Sequence, residues 1–187
     1  MWYNNQPDGL VYAGMVAYKY KGMMPSNTAI VLKEGTKSIS DGAFSNCNGL
    51  TCITIPNSVT CIGYDAFSGC SGLTSITIPS SVTSIGSYAF RGTKWLDEQP
   101  DGLVYVGKVA YVYKGTMPVN TAIVLDEGTR GIADNAFEHC RGLTSINIPN
   151  SVITIGNRAF SSCHRLTSVT IPNSVTTIGN YAFWQCI

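Results

Sequence analysis

Apolar residues recur along the chain at two superimposed intervals. In LTSITIPSSVTSIGSYAF, the stretch from Leu73 to Phe90, they stand at Leu73, Ile76 and Ile78. Ile76 and Ile78 flank Thr77, the alternation of a strand with one buried face. Pro79 lacks the N–H for a further ladder bond and closes that strand. Val82 and Ile85 then direct a second short extended segment inward, and Gly86 breaks it. A polar residue follows: Ser87 here, and Asp41, Asp134, Asn157 and Asn180 in other versions of the unit. Such side chains suit the N-cap of a short helical turn. Phe67, Cys70 and Leu73, three apart, fit one face of that turn. Tyr64 takes the cap position in the second version, where no cap is expected.

Aligned on Ala-Phe, the unit recurs at Phe44, Phe67, Phe90, Phe137, Phe160 and Phe183. The interval is 23 residues, except for 47 between Phe90 and Phe137. Repeats of this length with apolar positions in phase predict a leucine-rich-repeat solenoid. One unit has an apolar side and nothing of its own to bury it against. Stacked units bury Phe on Phe and Ile on Ile, with their strands in a parallel sheet. The expected fold is a right-handed solenoid, mostly β with short helical turns. Its repeats lie near 27–49, 50–72, 73–90, 120–142, 143–165 and 166–187.

A longer period lies on top. WYNNQPDGLVYAGMVAYKYKG starts at Trp2, and WLDEQPDGLVYVGKVAYVYKG starts at Trp95. A block of one insert and three repeats is therefore present twice. The inserts, 2–26 and 91–119, predict β-hairpins, the second turning at Gly107-Lys108 with Gly first. In register, Val104, Val106, Val109, Tyr111 and Tyr113 share one face. Leu103, Tyr105, Ala110 and Val112 share the other. Lys19 stands where the second copy has Val112, so the second face is expected to be the wetter one. Tyr12 and Tyr105 are then candidate exposed aromatics, a residue type favoured at interfaces. Trp2 and Trp95 are expected to anchor the inserts. Residues 1–187 read as a single domain. The chain stops at AFWQCI inside a repeat, as part of a longer array would.

The residues between the buried strand positions face outward on the concave sheet. They are Cys52, Thr54 and Asn57, then Ser75, Thr77 and Ser80. In the second block they are Ser145, Asn147 and Asn150, then Ser168, Thr170 and Asn173. The first and fourth repeats differ, with Ala29, Val31, Glu34 and Ala122, Val124, Glu127. Hydroxyls and amides suit an exposed parallel strand in their own right. They also make a neutral, hydrogen-bonding platform for a protein or glycan partner.

Candidate chemistry narrows the field further. Charged residues are 12% of the chain and the net charge is +1, with no basic stripe for nucleic acid. No apolar run approaches the ~18 residues of a membrane span. The start, MWYNNQPDG, lacks the basic and apolar regions of a signal peptide. No Ser-His-Asp or Cys-His pair and no Gly-rich phosphate loop can be argued, so neither catalysis nor a cofactor is expected. His139, Cys140, Cys163 and His164 on adjacent coils are enough ligands for zinc. Both cysteines already have a core place, however, and the histidines hold different repeat positions, so no metal is expected. Cys47, Cys70, Cys140, Cys163 and Cys186 share one repeat position. Adjacent coils would hold them within disulfide range, and a ladder of buried thiols is the expected state. Cys52 and Cys61 replace Ser or Thr at outer positions, and the odd total of 7 leaves one thiol unpaired within the chain.

The unit L-T-S-I-T-I-P-x-S-V-T-S-I-G-x-x-A-F-x-x-C, seen at 73–90 and 143–163, closely resembles the BspA-type (Treponema pallidum-type) bacterial leucine-rich repeat. The PDGLVYxGxVAYxYKG segment is similar to one found between repeats in such proteins. The resemblance implies a secreted or surface-anchored chain and no catalytic residues. It also implies adhesion to host extracellular-matrix or cell-surface proteins, or contact with other bacteria. The expected function is a non-catalytic binding module for a protein or glycan, acting through the concave sheet or the Tyr-rich hairpins. A structural spacer and a scaffold that self-associates edge to edge are the alternatives.

Overall fold

Alternation about Ile53 and Ile146 turns both side chains into the core and leaves their neighbours in solvent. The computed structural model describes residues 2–186; Met1 and Ile187, the ends of the expected domain, lie outside the described residues. Contacts divide the chain into two compact units. One holds residues up to Ser81 together with Gly86–Gln99, and the other holds Val82–Ile85 together with residues from Pro100 onward.

In the first unit, a 3-10 turn at Tyr3–Asn5 precedes an antiparallel hairpin of β1 (Gly9–Ala13) and β2 (Val16–Lys21). Then come β3 (Thr28–Val31), β4 (Ser38–Ile39), β5 (Leu50–Thr54) and β6 (Cys61–Ile62), with a short helix α1 (Lys94–Asp97). Two parallel ladders result. β3 pairs with β5, Val31 beside Thr54, and Thr77 adds a single bridge to Thr54. β2, β4 and β6 form the other, with Ala17, Ile39 and Ile62 in one row.

The second unit repeats the plan. It contains β7 (Ser84–Ile85), the hairpin β8 (Gly102–Val106) and β9 (Val109–Lys114), and β10 (Thr121–Val124). It continues through β11 (Gly131–Ile132), β12 (Leu143–Asn147), β13 (Thr154–Ile155) and β14 (Thr177–Ile178). β10 pairs with β12, while β9, β11, β13 and β14 line up Ala110, Ile132, Ile155 and Ile178. The Asp134 N–H donates to the Ile85 carbonyl at 3.0 Å and fixes β7 in this unit. Each unit is thus a parallel β solenoid with very little helix, as the repeat pattern predicts. Residues 167–172, on the same coil as β14, form no strand.

Three details depart from expectation. The hairpins are more than inserts: their return strands β2 and β9 are the first rungs of the second ladder. Ala17 and Ala110 there are fully buried beside Ile39 and Ile132. The hairpin turns do place Gly14 and Gly107 at φ 60, with only the first turn residue left-handed, as a type II′ turn requires. A bulge then shifts the faces. Val104 pairs with Val112 and Tyr105 with Ala110, so Tyr111 is the extra residue; it is buried, as its place beside Val104 and Val106 predicts, but Ala110, expected on the wetter face, is fully buried too. Val112, expected on the wetter face, is half-buried.

The polar residues before each Ala-Phe do not cap a helix. The turn kinks into left-handed backbone twice, two residues before and two after the phenylalanine. Asn135 (φ 59) and His139 (φ 61) flank Phe137 in this way. No helix forms, and the side chains reach the next coil. Asp41 Oδ1 accepts from the Tyr64 N–H at 2.8 Å, and Asn157 Oδ1 from the Asn180 N–H at 2.8 Å.

Trp95 lies in α1, edge-on to Phe90 at 5.6 Å, and its backbone N–H donates to the Leu73 carbonyl. Trp2, at the matching place in the first block, is exposed and touches Tyr18 edge-on instead.

The phenylalanines form the axis of each core. Phe44, Phe67 and Phe90 are fully buried in the first unit, their rings parallel within 10° at 5.3 and 5.4 Å. Phe137, Phe160 and Phe183 stack in the same way at 5.3 and 5.1 Å, the first two fully buried and Phe183 half-buried. Burying an aromatic side chain stabilises by about 2–3 kcal/mol, before the gain from offset stacking. The cysteines form no disulfide. The Cys70 thiol donates to the Phe44 carbonyl at 3.0 Å, and Cys163 to Phe137 at 3.1 Å. Thr93 holds the same repeat position in the third coil. Its Oγ1 donates to the Phe90 carbonyl at 2.7 Å and accepts from the Leu96 N–H, capping α1.

Candidate functional site

The concave face follows from the pleat of the first ladder. In the second unit, the register sets Ala122 beside Ser145 and Val124 beside Asn147. Alternation fixes the rest, since Ile146 and Ile148 are buried and the residues between them are not. An open groove of about 550 Å³ runs over this surface. It brings together Val124, Glu127, Ser145, Asn147, Asn150 and Thr170. Ser168 and Asn173 are exposed on the same coil as Thr170 but do not line the groove.

In the first unit a smaller groove of about 290 Å³ gathers Cys52, Thr54, Ser75 and Thr77. Asn57 is exposed outside its lining. The face is less uniform than a plain hydroxyl and amide platform. Val31 is 74% exposed and Val124 71% exposed, each on the first rung of its ladder. Each leaves an aliphatic side chain in water next to hydrogen-bonding neighbours. The signal for them is visible in NTAIVL, where a β-branched residue stands at an outward strand position.

Tyr12 and Tyr105 occupy a different role. Both are half-buried. The Tyr105 hydroxyl accepts from the Asp126 N–H at 2.9 Å, and the Tyr12 hydroxyl from the Lys33 N–H at 2.9 Å. Lys33 Nζ also lies 4.5 Å from the centre of the Tyr12 ring. Each tyrosine therefore pins its hairpin to the turn that carries Glu34 or Glu127. Tyr105 thereby holds the Glu127 rim of the second unit's groove in place.

The remaining titratable groups face elsewhere. Burial pushes the Cys70, Cys140 and Cys163 thiols up to about 12. These sulfurs stay protonated and poor as nucleophiles or metal ligands at neutral pH. His139 and His164 are exposed, and His164 Nδ1 lies 3.1 Å from the Gln185 carbonyl. Among the described residues, no three side chains of metal-ligating type converge. Among them too, no helix is long and apolar enough to cross a membrane.

A family model described as the BspA type leucine rich repeat region matches in 6 copies over residues 17–101 and 105–187. Its starts fall within the hairpins, close to the rungs at Ala17 and Ala110. A leucine-rich repeat protein from Bacteroides ovatus is 34% identical over 86% of this chain, with a TM-score of 0.39; the chain spans 35% of that protein's length. The T. pallidum leucine rich repeat protein is 25% identical over 91% of this chain and 80% of its own, with a TM-score of 0.45. A leucine rich cell surface protein from Faecalibacterium prausnitzii is 28% identical over 95% of this chain and 50% of its own, with a TM-score of 0.44. Among curated proteins, no relative matches the chain.

Proposed function

As the chain belongs to the BspA-type leucine-rich repeat family, we propose that it is a non-catalytic binding module of the cell surface or secreted space. Its concave face takes up a partner, and the groove of the second unit is the principal site. The observation that carries this reading is Val124. Its side chain is 71% exposed in a groove that also offers Asn147, Asn150 and Glu127. An apolar anchor among convergent polar groups is the composition of a recognition surface. Such an anchor gains from a partner that covers it, whereas a spacer gains nothing from it. A segment of a host matrix or surface protein suits the aliphatic anchor better than a glycan, which stacks on aromatic rings.

The test is biolayer interferometry of the protein against immobilised matrix proteins, with Val124→Ser and Asn147→Ala as variants. Partner affinity is expected to fall about tenfold for each, the effect of about 1.4 kcal/mol. Unchanged affinity in both variants would remove the concave face as the site.

A further inference from the structure

Each unit carries a second exposed cluster, on its turns and away from the concave groove. In the first unit, Tyr64 and Tyr88 lie on adjacent coils with ring centres 5.9 Å apart and planes at 79°. The Arg91 guanidinium lies 4.9 Å over the Tyr88 ring, with Asp65 at 4.0 Å. In the second unit, Tyr181 and Trp184 are 6.5 Å apart, again at 79°. Arg158 lies 5.8 Å over Tyr181. All four rings are exposed.

The backbone beneath is informative. Tyr88 has φ 59 and Tyr181 φ 58. Gly42, Asp65 and Asn135 hold the same turn position in other coils, residues that accept left-handed backbone readily, and Arg158, the cation of the second cluster, holds it in the fifth. A bulky aromatic there is strained. The core does not repay that strain, because Tyr88 is 45% and Tyr181 64% exposed. Strain retained for the sake of exposed rings points to what the rings contact.

From this we infer that the turn-side clusters bind pyranose chains that carry carboxylates. Two perpendicular rings form a corner, and one wall takes the apolar face of a sugar ring. The guanidinium over the other ring carries a rigid fork of N–H donors, the group that grips a carboxylate with two parallel bonds. Arg91 stays available because its Asp65 neighbour lies beyond hydrogen-bond length. This inference is independent of the concave-face reading, which concerns another surface and a protein partner.

The test is a calorimetric titration of the full chain with tetragalacturonate, beside a neutral galactose tetramer. Tetragalacturonate is expected to bind and the neutral tetramer to bind at least tenfold more weakly. The double variant Tyr88→Asn/Tyr181→Asn is expected to lose binding at least tenfold with an unchanged or higher melting temperature, since Asn135 already holds this backbone. Arg91→Ala/Arg158→Ala should bring the uronate down to the affinity of the neutral chain. Val124→Ser should leave uronate binding intact. No binding of tetragalacturonate, equal binding of the two tetramers, full binding by the Asn variant, or loss on Val124→Ser would each overturn the inference.

Discussion

Asp134 and Asn157 are joined twice across adjacent coils. Asp134 Oδ1 accepts from the Asn157 N–H at 2.7 Å, and Oδ2 accepts from its side-chain Nδ2 at 3.0 Å. The backbone bond registers one coil on the next at a turn that has no strand ladder. Asp134→Ala is expected to cost about 1.5–3 kcal/mol, the range for losing a hydrogen bond to a charged acceptor. Urea denaturation measures it. A cost near zero would mean that water replaces the bond in full.

Phe67 is fully buried between Phe44 and Phe90, whereas Phe183 is half-buried with a ring partner on one side. Phe67→Ala is therefore expected to cost about 3–5 kcal/mol, and Phe183→Ala distinctly less. Thermal melts of the two variants give the comparison. Equal losses would contradict a core built as a graded stack.

The cysteines divide by burial. Cys52 is exposed on the concave face, while Cys70 and Cys163 are fully buried. At pH 8, a thiol reagent should modify Cys52 quickly and leave those two untouched until the chain unfolds. Mass spectrometry of the time course reads this directly.

The same thiols give a pH dependence with a definite sign. Cys70, Cys140 and Cys163 ionise near 9 when free and only at about 12 in the fold. Their folded values are raised, so below pH 9 the full stability is present. Between about pH 9 and 12 the unfolded chain loses protons that the folded chain keeps, and stability falls. The urea midpoint should drop across that window. Replacing all three with Ala should flatten that part of the profile.

Tyr105→Phe removes the acceptor for the Asp126 N–H without changing the ring. About 1 kcal/mol of stability should be lost, together with a smaller loss of partner affinity as the rim bearing Glu127 loosens. Val124→Ser should do the reverse, lowering affinity while leaving the melting temperature nearly unchanged. If Tyr105→Phe weakens binding more than Val124→Ser, the hydroxyl itself touches the partner.

The stack was legible in the sequence because burial writes itself as a period. Phe67 and Phe160 fall in phase with Ile62 and Ile155, and both rows are core. The concave residues, Asn147 and Thr170 among them, were legible through the same alternation. What escaped depends on one-residue shifts and on partners far along the chain. The bulge at Tyr111 lets Ala110 be buried beside it, and no composition signal marks it. The bond from Asp41 to the Tyr64 N–H needs a neighbour 23 residues away, so a local reading makes it a cap. The half-burial of Tyr12 and Tyr105 likewise depends on Lys33 and Asp126 lying beneath them. Val31 and Val124 stood out as different residues, but their exposure is known only from the structure.

Ala17 and Ala110 have one more implication. Each sits in a rung whose other flank is covered by an antiparallel strand of the same hairpin, β1 or β8. A block that begins this way brings its own starter and does not wait for a template. Each hairpin in this way shields the open edge of the row it starts, Ala17-Ile39-Ile62 in one unit and Ala110-Ile132-Ile155-Ile178 in the other.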